Sequence, residues 1–344
     1  MSEELAARAK ELGVEVDYFD ARGRSRTVPP DALGKLLDVL HEAPEDAPVV
    51  YRRKQGAVGP DFSEASLVVP AAGAQARPAK IRDAPPGVYR VQDGSQAGAL
   101  VLIAPDTAYQ MTDIAQDKVW VLAVQLYGVR SKRNWGHGDF TDLRNLIALA
   151  ARVGAAGIGL NPLHALFDDR PEQASPYSPN SRLFLNSLYI DLEAVPEFRE
   201  PTKEIAQAIA RARESDFIDY AAVAEAKTKA LRLCFDRFRR SRSATRKSAF
   251  ARFRAARGEP LARFSAFESL RRQHEGVWWD WPEQDRKPNA ETLARIRRKA
   301  AREVEFVEYI QWLADDQLGE CQAEARRRGM PIGLYIDLAV GVEP

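Results

Sequence analysis

The chain has 344 residues, 45% of them hydrophobic and 29% charged, the composition of an ordinary globular protein with room for two or three domains. Fifty Lys and Arg stand against 49 Asp and Glu, and a net charge of +1 gives no overall field to attract nucleic acid or an anionic membrane. The two cysteines, Cys234 and Cys321, offer neither a disulfide framework nor a metal spacing. No apolar run approaches the roughly 20 residues a bilayer span needs, and the charged start MSEELAARAKELGV lacks a secretory core, so the expected location is the cytoplasm.

Residues 1–46 read as a small helical unit. Leu5, Ala9 and Leu12 recur at helical spacing, and Leu33, Leu36, Leu37 and Leu40 repeat the pattern after Pro29-Pro30, a pair suited to a helix start. Between them, Val16-Asp17-Tyr18-Phe19 and Ala21-Arg22-Gly23-Arg24 predict a short hairpin or turn. Residues 47–112 change character. Val49-Val50-Tyr51, Leu67-Val68-Val69, Val88-Tyr89-Arg90-Val91 and Leu100-Val101-Leu102-Ile103 alternate with Gly, Pro and Asp, and Asp93-Gly94 is a turn signal. This pattern predicts a small antiparallel β-sandwich.

Residues 113–344 read as α/β. The continuous apolar run Val119 to Val124 predicts a strand buried on both faces. After the Gly-rich turn NWGHGDF, Asp139 or Thr141 caps a helix carrying Leu143, Ile147 and Ala150, which stops at Gly154. Gly157-Ile158-Gly159-Leu160 is a second strand, completing a βαβ unit. A loop from Pro162 to Asn186 follows, and loops of that length without structure of their own are usually functional. Residues 202–328 are mostly helical and Arg-rich, with Gly329 as the stop. A third apolar strand, Pro331 to Ile336, ends in Asp337.

Four segments invite a chemical reading, each beside a plainer one. The loop Ser175-Pro176-Tyr177-Ser178-Pro179-Asn180-Ser181-Arg182 follows the second parallel strand, on the side where α/β proteins place their sites. Two prolines stiffen it, and Tyr177 offers a flat face and a hydroxyl to a sugar ring; the plainer reading is a rigid loop with its tyrosine packed inward. Asp337, directly after a buried strand, points at the mouth of a barrel or sheet, or merely caps a turn. In Val277-Trp278-Trp279-Asp280-Trp281-Pro282 the tryptophans stack on sugars or plug a gap between helices. Lys227 to Arg257 holds twelve basic residues and one acid, Asp236, with Phe235, Phe238, Phe250 and Phe253 interleaved. That is a nucleic-acid face, or a core-facing aromatic stripe with solvated arginines. His41, His137, His164 and His274 show no metal-ligand spacing, and no nucleophile elbow or phosphate loop is present.

The stretches VQLYGVRSKRNWGHGDFTDL, GIGLNPLHALF, SPYSPNSRLFLNSLYIDL, WWDWP and MPIGLYIDLAVGV, in that order, resemble the amylomaltase or disproportionating-enzyme family of 4-alpha-glucanotransferases. DYFDARGRSRTVPPDALGKLL is similar to the N-terminal extension of its longer bacterial members. The resemblance implies the first three strands of a (β/α)8 TIM barrel, with residues about 202–328 as a large helical insertion. It implies transfer of α-1,4-glucan segments to the 4-hydroxyl of an acceptor sugar by a retaining double displacement, in cytoplasmic maltodextrin and glycogen metabolism. The implied ligands are maltooligosaccharides, with no cofactor, metal, nucleic acid or membrane. Tyr177 matches the family's loop tyrosine near the scissile bond, and Asp337 its sugar-contacting aspartate after strand 3. Ser178 and Asn180 come from the same loop. The family's nucleophile, acid/base and stabilising aspartate belong to later strands, expected beyond Pro344, so no catalytic residue is assigned and the chain alone is expected to be inactive. The alternatives are a non-catalytic α-glucan-binding fragment, with residues 47–105 as the binding sandwich, and a nucleic-acid-binding helical protein.

Overall fold

The computed structural model describes residues 3–12, 14–20, 22–41, 49–52, 66–71, 77–92, 97–105, 107–114, 118–274 and 276–343. They belong to two compact units, Met1–Gln110 and Met111–Pro344.

In the first unit, helices α1 (Glu3–Glu11) and α2 (Pro30–His41) bury Ala9, Leu33 and Leu37 between them. The connecting strands β1 (Asp17–Phe19) and β2 (Ser25–Thr27) form the expected hairpin, antiparallel and exposed. Strands β3 (Val49–Arg52), β4 (Leu67–Pro70), β5 (Ala79–Lys80), β6 (Gly87–Val91) and β7 (Leu100–Ala104) form one sheet of order β3-β7-β6-β4-β5. The expected antiparallel sandwich is corrected here: among the described residues there is a single five-stranded sheet, and β3 joins β7 in parallel. Alternation identifies a strand and its inward face, as Tyr89, Val91, Val101 and Ile103 do. It does not say how many sheets the strands make, because pairing depends on partners far apart in sequence. Asp93-Gly94 lies outside the described residues.

The second unit is built on three parallel strands, β8 (Val121–Val124), β9 (Gly157–Leu160) and β12 (Gly333–Ile336), in the order β12-β9-β8. Helix α3 (Phe140–Arg152) crosses from β8 to β9, buries Leu143, Ile147 and Ala150, and ends just ahead of Gly154. Asp139 is its N-cap, accepting from the amides of Thr141 and Asp142, while Asp142 closes a capping box. Only β9 is buried along its length; β8, expected to be buried on both faces, is partly exposed because it lies at the sheet's edge. The centre is tight. A Cβ on Gly157 would lie 2.6 Å from the Gly333 carbonyl oxygen, so a side chain there would push β12 off β9.

The long connection from β9 to β12 carries the expected helices over residues 202–328, but the loop before them is not structureless. Strands β10 (His164–Ala165) and β11 (Ser181–Leu185) pair antiparallel and staple the loop at its base, leaving residues 166–180 as the loop proper. Among the described residues six α-helices follow: α4 (Lys203–Glu214), α5 (Tyr220–Arg240), α6 (Ala244–Arg271), α7 (Glu283–Arg286), α8 (Ala290–Lys299) and α9 (Ala301–Arg327). Helix α6 kinks at Gly258, whose φ of 51° and position two residues before Pro260 interrupt the hydrogen-bond ladder. Phe235, Phe238 and Phe250 pack with Tyr309 and Trp312 of α9 in the main core, so the aromatics of the basic stretch are core-facing. Among the described residues, no helix is long and apolar enough to cross a membrane.

Candidate functional site

Each parallel strand of the second unit runs straight into a polar residue: Gln125 after β8, Asn161 after β9 and Asp337 after β12. Parallel strands end together, so the three side chains gather at one end of the sheet, where α/β folds bind ligands. With Tyr127, Tyr177 and Tyr335 they line a cavity of about 580 Å³. The Tyr177 hydroxyl donates to Asp337 Oδ2 at 3.0 Å, joining residues 160 positions apart. That bond to Asp337 raises the phenol's pKa and keeps it protonated. One wall thus carries two half-open aromatic rings, a carboxylate and a hydroxyl, the groups needed to stack on a pyranose and hold its hydroxyls.

The wall is braced from both sides. The Asn180 amide donates to the Ala165 carbonyl at 2.9 Å, and the Ser178 amide to that of Ser175 at 3.2 Å. The segment after Asp337 is tied to the same loop. Arg182 donates to the Ala339 and Val340 carbonyls at 3.3 and 3.1 Å, and the Glu343 amide donates to that of Pro179 at 2.8 Å. His164 Nε2 accepts from the Ala339 amide at 3.3 Å. Burial and nearby Arg182 lower the His164 pKa, favouring the neutral ring this bond requires. Asn161 is an internal hub: its Oδ1 accepts from the Leu126 amide at 2.8 Å, and its Nδ2 donates to the Pro162 carbonyl at 2.7 Å and the Tyr189 hydroxyl at 2.9 Å.

Of the residues singled out in sequence, Tyr177 and Asp337 therefore meet. Ser178 is exposed beside them without lining the cavity. Asn180 turns the other way, giving its Nδ2 to Glu268 at 2.9 Å and lining a separate cavity with the tryptophans. Gln125, Tyr127, Asn161 and Tyr335 were missed. The signal available for Gln125 and Asn161 was the one that marked Asp337, a polar residue closing an apolar run.

The remaining candidates resolve by their partners. Trp281 is the plug, buried with Ala266, Leu270, Leu293 and Ile296, whereas Trp278 and Trp279 stay half-open. In the basic stretch, Lys227 is buried and donates to the Leu188 and Ile190 carbonyls, while Arg232, Arg239, Arg246, Arg254 and Arg257 pair with Glu303, Glu305, Glu197, Glu308 and Asp315. Asp168 and Asp169 are held by Arg271. Among the described residues, no group of three or more His, Cys, Asp or Glu side chains could hold a metal ion. Both cysteines are buried and free, and burial pushes their thiols up to about 12.

Comparison with known proteins gives this geometry a lineage. The profile of the family described as 4-alpha-glucanotransferase matches residues 124–344. The 4-alpha-glucanotransferase of Haemophilus influenzae is 33% identical over 386 residues, an alignment covering 99% of this chain and 55% of that protein. The Mycobacterium bovis enzyme of the same name is 39% identical over 299 residues, covering 82% of this chain and 39% of that protein. This chain thus spans about half the length, or less, of these curated relatives. Among solved structures, the amylomaltase of Corynebacterium glutamicum superposes with a TM-score of 0.69 at 25% identity, over 98% of this chain and 55% of that one. An amylomaltase from Streptococcus agalactiae, solved with acarbose, shares the fold at a TM-score of 0.52 and 18% identity, over 66% of this chain and 44% of that one. The profile alone spans well over half of these 344 residues, including β9, β12 and the loop that brings Tyr177 to Asp337, and on that ground the chain belongs to the 4-alpha-glucanotransferase family.

Proposed function

We propose that this chain supplies one wall of an α-1,4-glucan site, in an enzyme that moves glucan segments to the 4-hydroxyl of an acceptor sugar by a retaining double displacement. Tyr177 and Asp337 hold the sugar next to the bond that breaks, with Ser178 at the rim. Asn180 steadies the loop. The three parallel strands are the opening segment of a (β/α)8 barrel, and residues 202–328 are an insertion into it. The carboxylates that form and resolve the glycosyl intermediate lie outside these 344 residues. The ligands are maltooligosaccharides, met in the cytoplasm, with no cofactor, nucleic acid or membrane.

The observation that carries this reading is the 3.0 Å hydrogen bond from Tyr177 to Asp337 across the mouth of the parallel sheet. It sets an aromatic face and a carboxylate side by side where a sugar needs both. Among the described residues Asp337 is the one acidic side chain lining that cavity, whereas a retaining double displacement uses two carboxyl groups.

Two measurements on the 344-residue chain test this. Calorimetry with maltotriose should detect binding that weakens about tenfold or more in Tyr177→Phe and in Asp337→Asn, as expected for loss of a hydrogen bond to a charged group, about 1.5–3 kcal/mol. Incubation with maltotriose should release no glucose. Unchanged affinity in both variants would remove the site, and sustained glucose release would place bond-breaking groups within this chain.

A further inference from the structure

Helix α6 changes role at its kink. Beyond Gly258 and Pro260, Leu261, Phe264, Glu268 and Arg271 follow one another at spacings of three and four residues, so they share one face of the helix. That face meets the segment that carries Tyr177. Leu261 packs with Ala165 and Phe184, on the strands that staple the loop, and the Phe264 ring stacks on that of Phe184 at 4.2 Å. One turn further on, the contacts become ionic. Glu268 and Arg271 are each 7% exposed in the side chain. Glu268 divides its oxygens: Oε1 accepts from Asn180 at 2.9 Å, and Oε2 accepts from Arg271 at 2.8 Å. Arg271 also reaches Asp168 at 2.6 Å and Asp169 at 2.5 Å, with its guanidinium 5.1 Å from the centre of the Phe167 ring. Arg272 adds a second bond to Asp168.

Asp168 and Asp169 stand near the start of the 166–180 loop and Asn180 at its end, so one carboxylate and one guanidinium tie both ends to the same turn of helix. The helix is fixed in its turn, because Ala266 and Leu270 are buried with Trp281, Leu293 and Ile296. Tyr177 lies between the tied ends and is 58% exposed. A ring that open takes its place from the backbone beneath it and from its bond to Asp337. Pro176 and Pro179 restrict that backbone, which carries the fixing of Asn180 three residues back to Tyr177.

We propose that this turn of α6 sets Tyr177 in place for Asp337 and for the sugar, with Glu268 and Arg271 as positioning residues; for the sugar, this rests on the function proposed above. Neither residue lines the Tyr177–Asp337 cavity. Both act through the loop. A loop that had to order itself on the ligand would lose that entropy from its affinity, whereas ion pairs made beforehand remove the cost. Stability alone does not account for charges at this site. A buried ion pair exchanges for apolar side chains of similar size with little loss, so what the charges confer is a fixed arrangement of Asp168, Asp169 and Asn180.

The test uses the full 344-residue chain. Tetranitromethane attacks a tyrosine through its phenolate, and the bond to Asp337 keeps the Tyr177 phenol protonated. Release of the loop therefore shows as faster nitration of Tyr177, read by mass spectrometry against the exposed Tyr109. The Glu268→Leu/Arg271→Met pair keeps the bulk and removes both charges. Its unfolding midpoint should stay close to wild type. Its Tyr177 should nitrate at least about threefold faster, and maltotriose should bind about tenfold more weakly by calorimetry. Arg271→Lys, which keeps the cation, should recover part of both. Nitration at the wild-type rate in the pair overturns the inference. Should the pair fail to fold, Asn180→Leu breaks the same anchor from the loop side and decides on the same terms. Faster nitration in the pair, with maltotriose bound equally by wild type and Tyr177→Phe, keeps the anchor and removes the sugar reading. Maltotriose binding that depends on Tyr177, with wild-type nitration in the pair, keeps the sugar reading and removes the anchor.

Discussion

Asn161 shows how much structure a single polar side chain can organise. It follows the most buried strand of the sheet, is itself 7% exposed, and holds three partners from three parts of the chain: the Leu126 amide, the Pro162 carbonyl and the Tyr189 hydroxyl. A buried amide is stable only when its donors and acceptors are met, and here the meeting fixes the turn after β8 against the turn after β9. The floor of the Tyr177–Asp337 cavity thus depends on a residue that need not touch the sugar. Asn161→Ala removes all three bonds and leaves the Leu126 amide buried without an acceptor, an expected loss of about 2–4 kcal/mol. Ser178→Ala, at an exposed position on the rim, should stay within about 0.5 kcal/mol of wild type. Urea denaturation of the two variants checks both, and equal midpoints would mean that Asn161 is not the hub its geometry indicates.

At the scale of the element, the start of α3 holds several buried charges. Asp139, Asp142, Asp191 and Lys227 are all buried, Arg133 bridges Asp139 and Asp191, and His137 lies buried beside them with its Nδ1 2.8 Å from the Gly138 carbonyl oxygen. Burial dominates two of these groups in opposite ways. It raises the Asp139 carboxyl from 3.8 to about 6 against the pull of Lys227, and it lowers the His137 imidazole from 6.5 to about 3, with Lys227 adding to the shift. The consequences for stability have opposite signs. Asp139 takes its proton in the folded chain before the unfolded one does, so it favours folding as pH falls from 6 towards 3.8 and loses that contribution as pH rises through 6. His137 is protonated first in the unfolded chain, so its contribution is complete above 6.5 and is lost as pH falls towards 3. Between pH 6 and 4 the two offset each other. His137→Gln should remove the acid-labile part, so the variant gains on wild type by about 1.4 kcal/mol per pH unit in that window. Asp139→Asn, which keeps a good N-cap, should lose ground over the same window. Denaturation curves at pH 7, 6, 5 and 4 give the differences directly, and variant curves parallel to wild type would refute the assignment.

Across the whole molecule, what was legible in the sequence was whatever depends on near neighbours. Asp139 as a cap, the end of α3 ahead of Gly154, the βαβ unit and the two small helices all follow from spacing and turn chemistry. Tyr177 and Asp337 were each found beside a strong local signal. Their meeting was not, because a contact across 160 residues is set by strand order. The same limit hid the parallel pairing of β3 with β7 in the five-stranded sheet of the first unit, and it left the basic stretch open to two readings. Lys227 to Arg257 looks like a polycation because its counter-charges are elsewhere: Arg232 finds Glu303, Arg239 finds Glu305 and Arg254 finds Glu308, all on α9. Arg246 shows what these pairs do. It meets Glu197 with two bonds, at 3.0 and 2.7 Å, and lies 4.1 Å from the Trp312 ring centre. Glu197 is only 8% exposed, so removing the arginine strands a buried carboxylate beside the Tyr309 hydroxyl. Arg246→Ala should therefore cost about 3 kcal/mol, whereas Arg240→Ala, at an exposed position on the same basic run, should cost less than about 0.5 kcal/mol. A nucleic-acid face predicts something else: duplex DNA retained at low salt, released along a steep salt gradient, and weakened about equally by either substitution. Denaturation and an electrophoretic shift on the same two variants separate the cases, and DNA binding lost in Arg240→Ala would restore the nucleic-acid reading.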